Sequence, residues 1–247
     1  MAIGTARALF HTAALTTNVQ NVDLSGLDLA EGDFVLITVG QGSGLDRTVN
    51  IQSSGWEADL PKFLSNDTYK LGAETLFKVM GATPDTTFSF SFVTGSSTGT
   101  LFARIEARSG VDPENPFAAA SVSAVALDEN NPDPPAITPV TDGALIIAQG
   151  GIAPGNNAAA GANFTCANMI EIAQDYGAGG SSYEIAWASY EHLWSSGDGE
   201  FDPAPWTSNI GGPSNGWIAF TAALRPAAAP SVAAVRSAGL RLGLGLF

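Results

Sequence analysis

The sequence is poor in cysteine, in histidine and in long apolar runs. Cys166 is the only cysteine among 247 residues, so no disulfide can form within the chain. With only two histidines, His11 and His192, a cysteine-rich zinc site is also excluded. No apolar run is long enough to span a bilayer, and the N-terminal residues show no secretory signal. The sequence therefore predicts no membrane insertion.

Charge is scarce, and most of it is negative. Only 14% of the residues are charged, against roughly 25% in ordinary soluble proteins. The net charge is −14, and a nucleic-acid-binding protein needs a basic surface, so we expect no nucleic-acid partner. The surface must consist mainly of Ser, Thr, Asn, Gly and Ala, a composition typical of extracellular and virion proteins.

Alternation of apolar and polar residues is the main pattern along the chain. Phe88, Phe90 and Phe92 alternate with serines, which places three rings on one face of a sheet. Runs of this kind predict strands at 33–40, 74–81, 86–95, 100–108, 144–151, 169–174, 182–190 and 216–226. Weak helical periodicity occurs only at 56–65 and 230–239. The predicted fold is all-β, an antiparallel two-sheet sandwich that is jelly-roll-like.

We predict one β-sandwich domain at 1–226, with a long loop around 127–139, because neither half alone is expected to close a sandwich. Segments 31–44 and 141–155 both read as an acid and glycine, an apolar strand and a glycine-rich turn. This echo favours two equivalent strands, one in each half. Residues 227–247 are predicted to form a linker and a strand-like C-terminal tail.

The C-terminal tail differs in charge from the body. From Arg225 onward there are three arginines and no acids, whereas the preceding 224 residues carry seven basic and 24 acidic groups, or −17. An apolar, basic tail on an acidic body predicts docking, for example as a strand added to a neighbouring subunit. The alternative is a final strand of its own domain. The predicted assembly residues are Leu240, Arg241, Leu242, Leu244, Leu246 and Phe247.

Candidates for catalysis and ligand binding are few. Glycoside hydrolysis needs two carboxylates in one groove, and the candidates are Glu171, Asp175, Glu184 and Glu191, with Glu184 expected to point into solvent. Tyr190, Trp194 and Trp206 are candidates for stacking on a glycan. Acidic loops at 127–133 and 196–202 suggest calcium, but neither fits the EF-hand pattern. No G-x-S-x-G elbow occurs, which argues against a serine hydrolase. We expect no cofactor.

The stretch ARIEARSGVDPENPF, residues 103–117, concentrates charge at the end of a predicted strand. Arg104, Glu106 and Arg108 share one face of that strand. They are interpreted as surface ion pairs, worth about 0–1 kcal/mol each. The prolines that follow predict a turn that returns Phe117 to the core.

Six motifs in a fixed order support a family resemblance. They are GDFVLIT at 32–38, GW at 55–56, LFKVMGATPDTTFSFSF at 76–92, SGVDPENPF at 109–117, TDGALIIAQ at 141–149 and GWIAFTAALRP at 216–226. Over residues 31–226 this order resembles β-sandwich domains of tailed-phage and prophage structural proteins. Ser109 departs from that pattern, which often has a large residue there. The resemblance implies a virion structural or adhesion module without catalytic residues.

The expected function is therefore that of a noncatalytic structural protein of a tailed-phage-like virion or gene transfer agent. It would be a decoration, head-fibre or fibre-like component on the capsid or tail. Its expected partners are other virion proteins and further copies of itself, at the virion surface after assembly in a bacterial cytoplasm. The alternatives are a glycan-binding host-adhesion module, a glycan hydrolase, and a secreted bacterial protein unrelated to phage.

Overall fold

The protein is almost entirely β-structure in a computed structural model. The structure describes residues 2–15, 18–65, 70–93, 99–127, 129–154, 163–177, 184–210 and 216–229. None of these residues belongs to a helix with the length and apolar character that a membrane crossing requires. The all-β antiparallel prediction is confirmed, whereas the jelly-roll connectivity stays a prediction.

The first half of the chain forms two sheets. Its strands are β1 (Arg7–Ala14), β2 (Gln20–Asp23), β3 (Phe34–Ser43), β4 (Thr48–Ile51), β5 (Glu57–Ser65), β6 (Lys70–Val79), β7 (Thr87–Val93) and β8 (Gly99–Arg108), with a 3-10 helix at Ser25–Leu27. One sheet has the order β1-β8-β3-β6-β5 and the other β2-β7-β4. The predicted ring face of Phe88, Phe90 and Phe92 is confirmed, because all three are buried between these sheets.

The second half of the chain also forms a five-stranded sheet and a smaller sheet. Its strands are β9 (Phe117–Ala126), β10 (Leu145–Ile152), β11 (Phe164–Thr165), β12 (Ile170–Gly177), β13 (Ile185–Leu193), β14 (Thr207–Ser208) and β15 (Trp217–Leu224). The five-stranded sheet has the order β12-β13-β10-β15-β9, and β11 pairs with β14 in a small sheet. Apolar residues on both faces of the larger sheet are buried.

The two five-stranded sheets have equivalent strand orders. Reading β1, β8, β3, β6 and β5 as β9, β15, β10, β13 and β12 converts the first sheet into the second. Cross-strand partners correspond as well: Phe34 pairs with Val79 and Arg108, and Leu145 pairs with Leu193 and Leu224. The segments 31–44 and 141–155 contain the two central strands, β3 and β10, so the structure confirms that they are equivalent.

The five-stranded sheets pack face to face and share one core. Phe63 of β5 contacts Phe220 of β15 with ring centroids 6.1 Å apart, and Phe102 of β8 lies 4.8 Å from Trp187 of β13. Each half therefore builds its own sheets and then buries one face against the other half. No sheet in the described residues contains strands from both halves, and the single domain at 1–226 stays a prediction.

Several strands lie outside the ranges predicted from the sequence, among them β2, β4, β5 and β9. Residues 56–65, which showed weak helical periodicity, contain the edge strand β5. Strand β9 was not predicted at all, because its alanines and serines give weak alternation. Segment 230–239, the other weakly helical stretch, lies outside the described residues.

Candidate functional site

The charged residues of β8 lie between the two five-stranded sheets and not on the surface. Arg104, Glu106 and Arg108 are each only 1% exposed. Ala103 and Ile105, with the opposite parity, face the core of the first half. The interpretation of surface ion pairs is therefore wrong, because the second five-stranded sheet covers the face that a single sheet would leave to solvent.

Glu106 is the central acceptor of this group. Its Oε1 accepts hydrogen bonds from Gln149 Nε2 at 2.9 Å, from Arg104 Nε at 3.3 Å and from Ser189 Oγ. Its Oε2 lies 3.9 Å from Arg108 Nη2. Since Gln149 and Ser189 belong to the second half, one carboxylate joins both sheets.

Gln149 extends the group to the central strands. Thr38 Oγ1 donates to Gln149 Oε1 at 2.8 Å, and Trp187 Nε1 lies 3.4 Å from the same oxygen. Thr38 and Gln149 stand four residues after Phe34 and Leu145, so they occupy equivalent positions in β3 and β10. The hydrogen bond between them marks the middle of the pairing of the two halves.

Two further carboxylates complete what we call the interface network. Asp175 accepts from Arg104 Nη1, and Glu191 accepts from Arg108 Nη2 at 2.6 Å. The side chains of Asp175 and Glu191 are 23% exposed, so the network reaches solvent at its edge. Burial raises the pKa of Asp175, the Arg104 guanidinium opposes this shift, and the nearby Glu106 adds to it. The network consists of Thr38, Arg104, Glu106, Arg108, Gln149, Asp175, Ser189 and Glu191.

The four carboxylates proposed for a hydrolase have different hydrogen-bond partners. Asp175 and Glu191 are held by arginines of the interface network. Glu171 is exposed and accepts from Gln174 Nε2 at 2.7 Å. Glu184 is only 2% exposed and accepts from Tyr176 at 3.0 Å, so its predicted position in solvent is wrong. The strand next to it, β12, supplies the tyrosine that covers it.

The three aromatic residues proposed to contact a glycan are buried. Tyr190 packs against Trp206 with ring centroids 4.8 Å apart and donates to the carbonyl of Phe164. Trp194 donates from Nε1 to the carbonyl of Gly199 at 2.9 Å. None of the three rings is more than 4% exposed, so the prediction of a stacking surface there is wrong. The loops after β13 and the small sheet of β11 and β14 cover this side of the sandwich.

The two acidic loops proposed for calcium lie next to each other. Ile137 and Phe201 exchange two backbone hydrogen bonds of 2.9 Å. Burial raises the pKa of Asp133, and the charges of Asp202 and Glu129 raise it further. Within the described residues, however, no group of three or more His, Cys, Asp or Glu side chains is placed to hold a metal ion.

The predicted assembly residues all lie outside the part of the chain that the structure describes: Leu240, Arg241, Leu242, Leu244, Leu246 and Phe247. The described chain ends at Ala229, just beyond the last strand. The structure does place the start of this segment, because Ala227 N donates to the carbonyl of Gly110 at 2.8 Å.

A second acid, Asp59 on β5, lies where the two halves meet. Burial raises its pKa to about 6 from an ordinary value of 3.8, and the hydroxyls of Ser121 on β9 and Thr75 on β6 oppose the shift. Thr75 Oγ1 lies 3.3 Å from Asp59 Oδ2. The folded protein therefore binds a proton at Asp59 more tightly than the unfolded chain does.

The raised pKa of Asp59 predicts a pH-dependent stability. Its stabilising effect is complete below the unfolded pKa of 3.8 and is lost as pH rises through about 6. The free energy of unfolding of the wild type should therefore fall between pH 4 and pH 7 by about 2 kcal/mol more than that of Asp59→Asn, which has no carboxyl at this position. Urea unfolding at several pH values measures this difference. Glu57→Gln, at an exposed position of the same strand, is the matched control, and an equal pH dependence in both variants would contradict the assignment.

The chain was compared with family models, curated proteins and solved structures. No family model, no curated protein and no solved structure matches the chain.

Proposed function

We propose that the protein is a noncatalytic structural component of a tailed-phage-like particle, displayed on the capsid or tail. The observation that carries the proposal is the interface network. Its arginines and carboxylates join the two sandwich halves. A rigid double sandwich of this kind suits a displayed module that must keep its shape outside the cell.

Two of the motifs that carry the phage resemblance make packing and turn contacts. Trp56 packs edge-on against Phe88, with ring centroids 5.0 Å apart. In the turn after β8, Asp112 Oδ1 accepts from the backbone of Glu114 at 3.0 Å and of Asn115 at 3.2 Å. These roles are structural, as expected for motifs that specify a module and not a reaction.

Both ends of the sandwich chain lie at one end of the molecule, which we call the terminal pole. Gly4 N donates to the carbonyl of Ser109 at 2.9 Å, and Ala227 N donates to that of Gly110 at 2.8 Å. Val111 and Pro226 form an antiparallel bridge beside them. Attachment through the C-terminal tail would therefore leave the opposite end, with its strand-connecting loops, facing outward.

Truncation after Ala229 tests this proposal. We expect the truncated protein to keep the circular dichroism spectrum of the full-length protein, because the bridge at Val111 and Pro226 remains. It should fail to enter the parent particle in a pull-down that captures the full-length protein. Incorporation at the full-length level would contradict a role of the tail in assembly. Loss of folding would instead identify the tail as a strand of its own core.

A further inference from the structure

An apolar groove of about 400 Å³ opens at the terminal pole. Ile3, Leu145, Leu193 and Pro226 line it, and Asp142 adds a carboxylate. Leu193, the last residue of β13, is 70% exposed, although the same strand is buried over most of its length. A large apolar side chain at the wall of an open groove is a candidate contact for another apolar group.

The position of the chain end indicates what enters this groove. Pro226 forms part of its wall, and the described chain ends three residues later, at Ala229. Eighteen residues follow, 230–247, and they contain no acid. Leucines alternate through their last eight positions. This segment therefore starts near the groove and carries apolar side chains that could fill it.

Charge complementarity supports the same occupant. Asp142 Oδ1 accepts from the backbone of Ser196 at 2.8 Å, which holds it beside a loop that contains Asp198 and Glu200. The C-terminal segment carries Arg236 and Arg241 on a chain whose first 224 residues have a net charge of −17. Arginines next to the leucines would meet acids next to the groove.

We propose that the C-terminal segment 230–247 docks into this groove of its own chain. Residues 230–240, eleven in all, span at most about 40 Å, which is enough for the segment to fold back onto the terminal pole. Tethering this close to the groove gives an effective concentration on the order of millimolar. The docking shields the leucines in the free protein, before any particle is met. It concerns the isolated chain, so it stands or fails separately from the proposed role in a particle.

Trypsin provides the test, because Arg236 and Arg241 are natural cleavage sites within the segment. Cleavage of a docked segment depends on the population that is transiently open. We expect Leu193→Asp to speed cleavage at both sites about tenfold in the full-length protein, followed by intact mass. Leu45→Asp is the matched control. Leu45 is 56% exposed and follows the far end of β3, about 30 Å from the terminal pole.

The protein concentration identifies the occupant. Protection that is independent of concentration, lost in Leu193→Asp and kept in Leu45→Asp, supports docking within one chain. Protection that grows with concentration would assign the groove to a second copy and overturn the proposal. Equal cleavage rates in the wild type and Leu193→Asp would also overturn it, since the groove would then hold no C-terminal segment.

Discussion

Replacing Glu106 with alanine should lower the free energy of unfolding by about 3–5 kcal/mol. Glu106 is 1% exposed, and its loss leaves Arg104 Nε, Gln149 Nε2 and Ser189 Oγ without their acceptor. The two buried arginines then keep Asp175 and Glu191, which are partly exposed, as their carboxylate partners, and Arg108 still donates to the carbonyl of Gly4. Urea unfolding followed by tryptophan fluorescence measures the effect, because Trp187 lies beside the site.

Two further variants are compared with Glu106→Ala. Glu114→Ala removes an exposed acid from the same stretch, and its effect should stay within about 0.5 kcal/mol. Glu106→Gln keeps an acceptor oxygen and removes a negative charge from a network of two arginines and three carboxylates. We expect it to lose about half as much stability as Glu106→Ala. If Glu106→Ala behaves like Glu114→Ala, water must reach the carboxylate, and the two halves cannot be packed as described.

The position of the charged face of β8 could not be predicted from the sequence. Alternation correctly placed Arg104, Glu106 and Arg108 on one face of a strand. This face was expected to point into solvent because charged side chains are rarely buried without partners. The partners come from β10, β12 and β13, far along the chain. One signal was present: Gln149 interrupts the apolar run of β10, and a polar residue inside a buried strand needs a hydrogen-bonding partner.

Strand β5 shows why local periodicity can mislead. Its sequence, EADLPKFLS, spaces apolar residues almost as a helix would. In the structure β5 is an edge strand whose pairing with β6 shifts between Leu60 and Phe63. Proline is tolerated at edges and bulges, where no ladder hydrogen bond is lost. The irregular register removed the simple alternation that predicted the other strands.

The interface between the halves is chemically uneven, although the halves share one plan. Aromatic and aliphatic residues such as Phe63 and Phe220 fill the part near β5 and β15. The interface network occupies the part near β8 and β13. Apolar contacts alone would let two similar sheets slide or pair in another register. We infer that the hydrogen bonds to Glu106 select one arrangement, a role that buried polar groups have in some proteins.

The second large effect is expected at two equivalent glycines, Gly40 and Gly151. Each stands six residues after the first residue of its central strand. A Cβ at Gly40 would lie 2.5 Å from the carbonyl oxygen of Gly72 and 2.6 Å from Phe102 Cζ. A Cβ at Gly151 would lie 2.6 Å from Trp187 Cε3 and closer still to the carbonyl oxygen of Ala186. The backbone of the neighbouring strand and a buried ring block both positions.

Gly40→Ala and Gly151→Ala should therefore each lower the free energy of unfolding by about 3 kcal/mol, the upper end for overpacked cores. Gly81→Ala is the control, because a Cβ there meets nothing within 4 Å. Chemical unfolding of the three variants at one pH gives the comparison. Similar losses at Gly40 and Gly151 would show that both halves use a glycine to bring an aromatic ring against the sheet. If either variant matches Gly81→Ala, the sheet can relax at that position, and the equivalence of the halves does not extend to the packing at their centre.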